Sequence, residues 1–499
     1  MAKAIMVQGT ASNAGKSLIT AALCRIFKQD GYNVAPFKSQ NMALNSFITP
    51  DGFEIGRAQA VQAEAAKAVP DVRMNPILLK PTSDQGSQVV VNGKPYKNMS
   101  AWNYYELKKE LRPFVEKAYS SLAEDYDIIV IEGAGSPAEI NLARDDFVNM
   151  GMAKIARAPV LLVGDIDRGG VLASIYGTCA IIEPDGRDMI KGLIINKFRG
   201  DVEILRPGLK MLEDLCSKPV LGVIPFGSFD VEDEDSVSAR VEFAANRQGV
   251  IDIAVVRSPH ISNFTDFNPL ERIPGVTVRY VFEAKHFGNP DLLIIPGSKN
   301  TMSDLRAIRQ NGLETMIKRH ASNGGLVLGI CGGYQMLGGK ISDPDGVESG
   351  GEMRGMELLP VDTVFRGDKT TVQVTGAVEH ITGAFSALSG VRFEGYEIHM
   401  GESVSAAAPL TKVNRNGENV PDGTFTDNAA GTYVHGLFDS AEASAALAKL
   451  LAERKGITLD AFKAVDSREY KETQYDLLAA SVREALDMDA VYKILEAGI

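Results

Sequence analysis

Short apolar runs that alternate with helix-like stretches constrain the fold of this chain more than any other feature. Each run is too short for a helix and apolar at successive positions, so both faces of a strand there would be buried. Such strands are typical of the centre of a parallel sheet covered by helices on both sides. The predicted strands are Ala4–Val7, Val34–Phe37, Ile128–Ile131, Val160–Val163, Leu193–Ile195 and Val220–Ile224 in a first series, and Ile251–Val256, Leu292–Ile295 and Leu326–Ile330 in a second.

The length of the chain, 499 residues, exceeds what one ordinary core supports, so two or three domains are expected. An acidic stretch, Asp230–Asp235, separates the two series of strands and marks the predicted boundary. We predict an α/β domain over residues 1–238, a second α/β domain over 249–440, and a helical segment over 441–499 that packs on the second domain. Residues 351–435 are rich in Gly, Thr and Val and are expected to be rich in strands.

Composition narrows the class of protein. Hydrophobic residues make up 45% of the chain and charged residues 23%, as in ordinary globular proteins. The net charge of −12 and the lack of any basic block argue against a nucleic-acid partner. Four irregularly spaced cysteines give neither a disulfide framework nor metal-site spacing. With no signal-peptide pattern and no apolar run of membrane-spanning length, we expect a cytoplasmic protein without membrane contact.

Cys331 stands at a sharp turn between a predicted strand and a predicted helix. The strand Leu326–Ile330 runs into this cysteine, glycines surround it, and a helix-like stretch, Tyr334–Leu337, follows. Such a turn presents a nucleophile where the helix dipole favours a thiolate and backbone N–H groups can hold an oxyanion. The alternative is an inert core cysteine, which fits the apolar surroundings of the other cysteines. The glycine pattern favours a nucleophile at Cys331, and hence acyl-transfer chemistry.

Two later segments carry the groups that such a cysteine needs. Gly297 follows the strand Leu292–Ile295, and its N–H is a candidate oxyanion donor. His435 follows another short apolar strand, and it would accept the proton of Cys331 and return it to the leaving group. His399 is the competing base, and either histidine alone is also compatible with a structural role.

A glycine-rich loop follows the first strand and opens a helix, Leu18–Phe27, which is the setting of a phosphate-binding loop. Lys16 would reach the β- and γ-phosphates of ATP, and Ser17 would hold Mg²⁺. Five residues rather than the usual four separate Gly9 from Gly15, so Thr10 stands where the first glycine is usual. The alternative is a glycine-rich turn with an incidental lysine. The candidate ATP-binding residues are Gly9, Thr10, Asn13, Ala14, Gly15, Lys16, Ser17 and Asn196.

Charged residues follow several strands of the first series. Open α/β sheets bind ligands at the carboxyl ends of their strands, so Glu132 could hold Mg²⁺ opposite Ser17. Lys38 could neutralise a substrate carboxylate or a phosphoryl group, and Asp165 is a metal or substrate candidate. Asn196, followed by Lys197, resembles the strand-end Asn-Lys of several P-loop families, which implies a contact with the nucleotide base. For each residue the alternative is a solvated side chain at a strand end.

The two halves resemble known families. The longer phosphate loop resembles the dethiobiotin synthetase-like branch of P-loop proteins. The cysteine turn, the Pro-Gly loop and the late histidine resemble the class I, or triad, glutamine amidotransferases, which implies oxyanion and glutamine-binding roles for Gly297, Gly332 and Gln335. Those enzymes usually carry His-x-Glu, whereas Leu437 stands two residues after His435. The third triad member is therefore missing or supplied elsewhere.

Taken together, both halves resemble the cobyric acid synthases of cobalamin biosynthesis over essentially the whole chain. The block Lys38–Asn45 distinguishes them from the cobyrinic acid a,c-diamide synthases, which share the domain order. The stretches that carry the resemblance most specifically are Gln8–Ser17, Phe37–Met42, Glu54–Gln59, Met74–Lys80 and Asp165–Gly170.

The resemblance implies a carbon–nitrogen ligase. It would convert adenosylcobyrinic acid a,c-diamide into adenosylcobyric acid by amidating the b, d, e and g carboxylates, with ATP and glutamine as co-substrates and Mg²⁺ as cofactor. Ammonia released from glutamine at Cys331 would reach an acyl phosphate. The partners implied are small molecules, and the oligomeric state stays open, with a homodimer among the options. Candidate substrate-binding residues are Lys38, Arg57, Lys80, Asp165 and Arg168.

Other functions are compatible with parts of the pattern. The chain could be a cobyrinic acid a,c-diamide synthase, the lipid II-amidating relative or another glutamine-dependent carboxylate amidase. A P-loop switch ATPase of the partitioning kind would use ATP to control a partner and would not need Cys331. A non-catalytic binding module would leave both motifs unexplained.

Overall fold

The computed structural model describes residues 2–83, 86–142, 144–227, 229–232, 249–457 and 466–499. The chain forms two compact units. The first contains Met1–Ala43, Glu54–Glu234 and Lys471–Ile499, and the second contains Leu44–Phe53 and Asp235–Tyr470. The predicted boundary at residue 238 lies outside the described residues.

The first unit is built on a parallel sheet. Its strands, in order across the sheet, are Val220–Pro225, Ile190–Phe198, Val160–Asp165, Lys3–Gly9, Ile128–Glu132 and Val34–Phe37. All six runs of the first predicted series are therefore strands. Val7 pairs with Glu132 in the register of the sheet, so the loops that follow these two strands lie side by side.

Both faces of this sheet are buried, as the apolar runs predict. Along the first strand, Ala4 and Met6 belong to one buried cluster, whereas Ile5 and Val7 belong to another. Alternate side chains thus enter cores on opposite faces, because successive side chains of a strand point to opposite sides.

Helices and a smaller sheet complete the first unit. The smaller sheet contains Gln40–Met42, Ile77–Ser83, Gly86–Val91 and Lys94–Ser100, and a further short strand is Glu54–Gly56. Short 3₁₀ helices are Val72–Met74 and Ile140–Leu142. The α-helices are Lys16–Gln29, Arg57–Ala65, Ala101–Asp125, Met150–Ala156, Val171–Ile181, Pro184–Met189 and Val202–Cys216.

The C-terminal segment differs from the prediction. Its described residues are largely helical, but Lys471–Ile499 belongs to the first unit, whereas the helix Ala441–Arg454 packs in the core of the second. The remaining helices are Ser467–Ala485 and Met488–Ala497. The physical reason is an apolar stripe, since Tyr475, Leu478 and Val482 share a buried cluster with Leu23 and Phe27 of the helix after the phosphate loop.

The second unit contains another largely parallel sheet. Leu326–Ile330 lies between Leu292–Ile295 and Ala429–Thr432, and all three run parallel. The loops that follow them therefore meet at one edge, and these loops carry Cys331, Gly297 and His435 respectively. The full strand order is Val276–Val281, Ile251–Val256, Leu292–Ile295, Leu326–Ile330, Ala429–Thr432 and the antiparallel Thr424–Phe425.

The predicted β-rich region forms a separate mixed sheet. Its strands are Gly351–Arg354, Lys340–Asp343, Val361–Val378, Thr411–Arg415 and Glu418–Asp422, with Arg392–Ser405 also paired to Val361–Val378. Ile261–Ser262 pairs with Gly297–Ser298, and Ser46–Ile48 is a further strand. The other helices are Asn268–Glu271, Thr301–Gln310, Leu313–Ser322 and Gly332–Leu337, with 3₁₀ turns at Phe264–Phe267, Ala284–His286, Gly383–Leu388 and Leu437–Asp439.

None of the helices in the described ranges is both long and apolar enough to cross a membrane.

Candidate active sites

Cys331 occupies a strained turn between a buried strand and a helix. Its backbone has φ 52° and ψ −108°, in the region that non-glycine residues rarely adopt. The Cys331 N–H donates to Thr432 O at 2.8 Å, and the Gln335 N–H donates to Cys331 O at 3.1 Å, so the turn is fixed from both sides. Cys331 as a whole is 6% exposed. The structure thus contains the predicted sharp turn between a strand and a helix at Cys331.

Glycine is required next to this turn by close packing. A Cβ on Gly333 would lie 1.9 Å from Ile295 O, and one on Gly332 would lie 2.9 Å from Ser298 N. No side chain fits at the first distance. The same contacts bring the start of the Cys331 helix against the loop that contains Gly297, which is the arrangement that an oxyanion site between the Gly297 and Gly332 N–H groups requires.

His435 lies beside this turn and is held by a carboxylate. Its Nδ1 lies 2.7 Å from Asp266 Oδ2, and the Gly436 N–H donates to Asp266 Oδ1 at 3.2 Å. A Cβ on Gly297 would lie 3.0 Å from His435 Cε1, so the histidine also adjoins the predicted oxyanion loop. With Nδ1 engaged by Asp266, Nε2 is the nitrogen left for proton exchange with Cys331.

The electrostatics of His435 follow from this pairing. Burial by itself lowers the pKa of the imidazole, but the charge and hydrogen bond of Asp266, together with the neighbouring Cys331, outweigh burial and raise the pKa to about 10. An imidazolium at His435 can balance a thiolate at Cys331. This is the ion pair that makes a cysteine nucleophilic.

The strand Arg392–Ser405 passes behind both catalytic candidates. The Tyr396 ring stacks on the His435 ring with centroids 5.4 Å apart, and the two residues exchange backbone hydrogen bonds of 3.1 and 2.8 Å. The Cys331 thiol donates to Ile398 O at 3.6 Å. One strand therefore contacts both His435 and Cys331.

His399, the competing base, is engaged elsewhere. Its Nδ1 donates to Gly401 O at 2.8 Å, its Nε2 lies 3.7 Å from a Glu397 oxygen, and its ring stacks on Tyr433 at 3.8 Å. These contacts favour His435 as the base.

Gln335, predicted to help bind glutamine, has both ends of its amide engaged by the protein. Thr301 Oγ1 donates to its Oε1 at 3.0 Å, and its Nε2 donates to Tyr433 OH at 3.1 Å. In this arrangement Gln335 braces the elbow, and its contact with glutamine stays a prediction.

Sequence reasoning missed Asp266 and Tyr396. Asp266 lies 169 residues before His435, in a 3₁₀ turn at Phe264–Phe267. Nothing in its local sequence resembles a catalytic motif, and the usual His-x-Glu spacing directs attention to Leu437 instead. The one indication in the sequence was that Leu437 replaces the usual glutamate, so that a carboxylate from another segment would have to complete the triad.

The phosphate loop has the predicted strand–loop–helix form. Gly15, with φ 96°, precedes the helix Lys16–Gln29, and a Cβ there would lie 2.0 Å from Asn196 Nδ2. Asn196 Nδ2 donates to Ala14 O at 2.9 Å, so this candidate base contact supports the loop. The Thr10 N–H donates to Val163 O at 2.9 Å. The positive φ of 61° at Asn13 completes the turn of the loop.

Lys16 and Ser17 face the loop that follows Glu132. Lys16 Nζ donates to Ala11 O and Gly135 O, each at 3.0 Å, which curls its side chain back over the phosphate loop. Ser17 Oγ donates to Glu132 Oε1 at 2.8 Å. The structure therefore brings the two predicted magnesium ligands together at the start of the helix Lys16–Gln29.

Glu132 is the centre of a buried polar cluster. Lys38 Nζ lies 3.0 Å from its Oε1, and Gln62 Nε2 donates to its Oε2 at 2.5 Å. Burial raises the pKa of this carboxyl, but the charge of Lys38 and the hydrogen bonds from Gln62, Ser17 and Lys38 outweigh it, and the pKa lies below its ordinary value. Glu132 is therefore a carboxylate at neutral pH. Sequence reasoning did not identify Gln62.

Asp165 lies near the same loop and is paired with Lys197. Lys197 Nζ lies 2.8 Å from Asp165 Oδ2 and donates to Asn13 O at 2.6 Å. Arg168 follows on an exposed loop. These positions keep Asp165 and Arg168 at the ligand edge of the sheet.

Arg57 and Lys80, two predicted substrate cations, are buried in ion pairs. Arg57 Nε lies 2.6 Å from Glu232 Oε2, and Lys80 Nζ lies 2.6 Å from Glu54 Oε1. Their side chains are 6% and 5% exposed. Both charges are thus neutralised by carboxylates of the protein, and a corrinoid-binding role for either residue stays a prediction.

Metal binding by protein side chains alone finds no support in the described ranges, where no group of three or more His, Cys, Asp or Glu residues is suited to hold an ion. A magnesium ion held by Ser17, Glu132 and nucleotide phosphates does not need such a group, because Mg²⁺ keeps most of its ligands as water and phosphate oxygen.

Two family models match this chain. Residues 5–235 match the CobQ/CobB/MinD/ParA nucleotide-binding domain, and residues 252–443 match the CobB/CobQ-like glutamine amidotransferase domain. The cobyric acid synthase of Ruminiclostridium cellulolyticum is 58% identical over 100% of this chain and 98% of its own length. Those of Lachnoclostridium phytofermentans and Thermoanaerobacter sp. are 55% and 50% identical, covering 100% and 99% of each chain respectively.

The chain belongs to the cobyric acid synthase family. This confirms the predicted family, the predicted order of a P-loop domain before a glutamine amidotransferase domain, and the predicted enzyme class of a glutamine-dependent ligase. The nucleotide-binding match supports the predicted use of ATP. Mg²⁺, the individual site residues, the cytoplasmic location and the oligomeric state stay predictions.

Proposed function

We propose that this protein amidates the b, d, e and g carboxylates of adenosylcobyrinic acid a,c-diamide, with ATP and glutamine as co-substrates, to give adenosylcobyric acid. The observation that carries the proposal is the pairing of an Asp266–His435–Cys331 triad with a complete phosphate loop, in a chain that matches cobyric acid synthases from end to end. A switch ATPase would have no use for this triad.

The proposed triad accounts for the hydrolysis of glutamine. Cys331 Sγ attacks the side-chain amide carbon of glutamine, and His435 Nε2 passes a proton to the leaving ammonia. Asp266 holds Nδ1 and stabilises the imidazolium. The Gly297 and Gly332 N–H groups hold the oxyanion. Water then hydrolyses the γ-glutamyl thioester to glutamate and frees Cys331.

The phosphate loop accounts for the activation of the substrate carboxylate by ATP. A carboxylate is a poor electrophile, so ATP converts it to an acyl phosphate, which ammonia attacks to give the amide and inorganic phosphate. Lys16 neutralises charge on the β- and γ-phosphates, and Lys38 does the same for the substrate carboxylate or the transferring phosphoryl group. Arg168, on its exposed loop, is a cation for the polyanionic corrinoid.

Mg²⁺ fits the residues at the start of the phosphate-loop helix. Ser17 Oγ and the ionised Glu132 are hard oxygen ligands 2.8 Å apart, and they would hold the ion together with nucleotide phosphates. The ion would supply charge neutralisation at those phosphates. Lys38 and Gln62 keep Glu132 oriented and ionised.

Mass spectrometry of the corrinoid tests this proposal. Adenosylcobyrinic acid a,c-diamide, Mg-ATP and glutamine are incubated with the protein, and a ladder of four hydroxyl-to-amino replacements is expected. Cys331→Ala should lose the glutamine-dependent ladder but retain the one supported by ammonium, whereas Lys16→Ala should lose both. ATP hydrolysis without any amide would refute the substrate, and full glutamine-dependent activity in Cys331→Ala would refute the nucleophile.

A further inference from the structure

A short piece of the N-terminal sequence belongs to the glutaminase unit. The match to the nucleotide-binding domain covers residues 5–235, yet Leu44–Phe53 within that range clusters with the second unit. Its flanks, up to Ala43 and from Glu54, belong to the first unit. We call Leu44–Phe53 the inserted segment.

The inserted segment holds the turn that carries Asp266. Asn45 Oδ1 accepts a hydrogen bond from the Phe264 N–H at 3.2 Å, and the Ser46 N–H donates to Asn263 Oδ1 at 3.1 Å. Asn45, Ser46 and Asn263 are each at most 2% exposed. These two bonds secure the start of the 3₁₀ turn Phe264–Phe267, in which Asp266 lies.

The same segment also holds the residue stacked on His435. Tyr396 OH donates to Ser46 O at 3.2 Å, and the Phe47 and Tyr396 rings lie 6.0 Å apart. Ile48 shares a small buried cluster with Tyr396 and Ile398, whose carbonyl accepts from Cys331. The segment thus contacts both the turn that carries Asp266 and the strand that carries Tyr396 and Ile398.

The outer part of the inserted segment is anchored to a different strand. Thr371 Oγ1 donates to Gly52 O at 2.8 Å, and Gln373 Nε2 donates to Ile48 O. The Thr49 N–H closes the turn by donating to Phe53 O at 2.8 Å. The segment is therefore fixed independently of the triad and can act as a support for it.

We propose that Asn45 and Ser46 are positioning residues for glutamine hydrolysis, which set the orientation of the His435 imidazole through Asp266 and Tyr396. The proposal rests on the proposed glutaminase function of the triad. Its physical basis is that proton transfer between His435 and Cys331 depends steeply on geometry, and misplacement by about 1 Å can cost on the order of a hundredfold in rate. Neither residue contacts the dyad itself in the described hydrogen bonds.

Asn45→Ala in the full-length protein tests this role. It removes the acceptor for the Phe264 N–H, whereas Asp51→Ala, at the exposed tip of the same segment, is the matched control. Glutamate release from glutamine is measured with Mg-ATP and corrinoid present. We expect kcat to fall roughly 10- to 100-fold in Asn45→Ala, with KM for glutamine and ammonium-supported amidation close to those of Asp51→Ala.

A second readout is independent of the amidated substrate. The rate at which iodoacetamide alkylates Cys331 depends on the thiolate, which the His435 imidazolium stabilises. A displaced Asp266 supports the imidazolium less, so we expect the rise of the alkylation rate with pH to move to higher pH in Asn45→Ala. Asn45→Asp keeps an isosteric acceptor oxygen and is expected to restore both readouts at least in part. Failure to detect amide would count against the proposed substrate and leave this readout valid.

Two results would overturn the positioning role. One is a glutamine-dependent kcat and alkylation profile in Asn45→Ala equal to those of Asp51→Ala. The other is an equal fall of glutamine- and ammonium-supported amidation with a lowered unfolding midpoint, since Asn45 would then serve the fold as a whole.

Discussion

Asp266→Asn removes the negative charge of the proposed triad while keeping the size and shape of the side chain. Asp266 lies 2.7 Å from His435 Nδ1 and accepts from the Gly436 N–H at 3.2 Å. Asparagine is isosteric and keeps the turn, but it is neutral and can present an N–H donor to Nδ1. That donor would favour the tautomer with the proton on Nε2, which cannot accept the proton of Cys331.

The expected magnitude follows from the pKa of His435. Asp266 and Cys331 raise this pKa to about 10 against the ordinary 6.5, although burial opposes them. A change of one in pKa corresponds to about 1.4 kcal/mol, so the site favours the imidazolium by roughly 5 kcal/mol. Without the carboxylate, burial dominates and the imidazole becomes neutral. We expect glutamine-dependent kcat to fall by about 10²- to 10⁴-fold.

The assay compares three activities in one preparation. Glutamate release should fall, and ammonium-supported amidation should persist. The rise of Cys331 alkylation with pH should move to higher pH, because the thiolate loses the support of the imidazolium. Asp291→Asn is the matched control, because it makes the same change in the same unit at a carboxylate that pairs with Lys455. A kcat within threefold of this control, with an unchanged pH profile of Cys331 alkylation, would refute the reasoning.

Further predictions concern stability and the synthetase half. The pKa of His435 is higher in the folded chain than the ordinary 6.5. Its pairing with Asp266 therefore stabilises the fold fully below about pH 6.5, and this stabilisation is lost as the pH rises towards 10. The difference in unfolding free energy between the wild type and Asp266→Asn should shrink over that range. Glu132→Gln should reduce amidation about a hundredfold with either nitrogen source yet leave thioester formation at Cys331 intact, as intact-protein mass spectrometry would show. Arg25→Met, which removes a 2%-exposed guanidinium from its two carboxylates, should lower the free energy of unfolding by about 1–3 kcal/mol in urea titrations. Gly333→Ala should cost about 3 kcal/mol in the same titrations, because its Cβ would meet a backbone carbonyl at 1.9 Å.

Some charged residues show where sequence patterns stop being informative. Lys38, Arg57 and Lys80 all lie in stretches that resemble the family, and all three are sequence-based candidates for binding the substrate. The structure pairs Lys38 with Glu132 beside the phosphate loop, but buries Arg57 and Lys80 against other carboxylates. A sequence shows that a cation is present, but its partner is chosen by residues that are distant along the chain.

The C-terminal segment illustrates the same limit at a larger scale. Its helical character was predicted from the sequence, since helix-like periodicity is a property of a contiguous stretch. The surface on which these helices pack was not predictable from the sequence. Lys471–Ile499 returns to the first unit because Arg25 and the apolar residues of the first helix complement it.

The sequence by itself determined the two chemical motifs of this protein. The phosphate loop and the Cys331 elbow each lie within one strand–loop–helix unit, so their geometry follows from glycine spacing and strand pattern over a few neighbouring residues. The parallel sheets were also determined locally, because strands buried on both faces are apolar throughout. Tertiary structure alone decided what completes the glutaminase site. Asp266 reaches His435 across 169 residues, and Asn45 reaches Phe264 across 219, through loops whose meeting depends on the order of strands in the sheet and on no local signal.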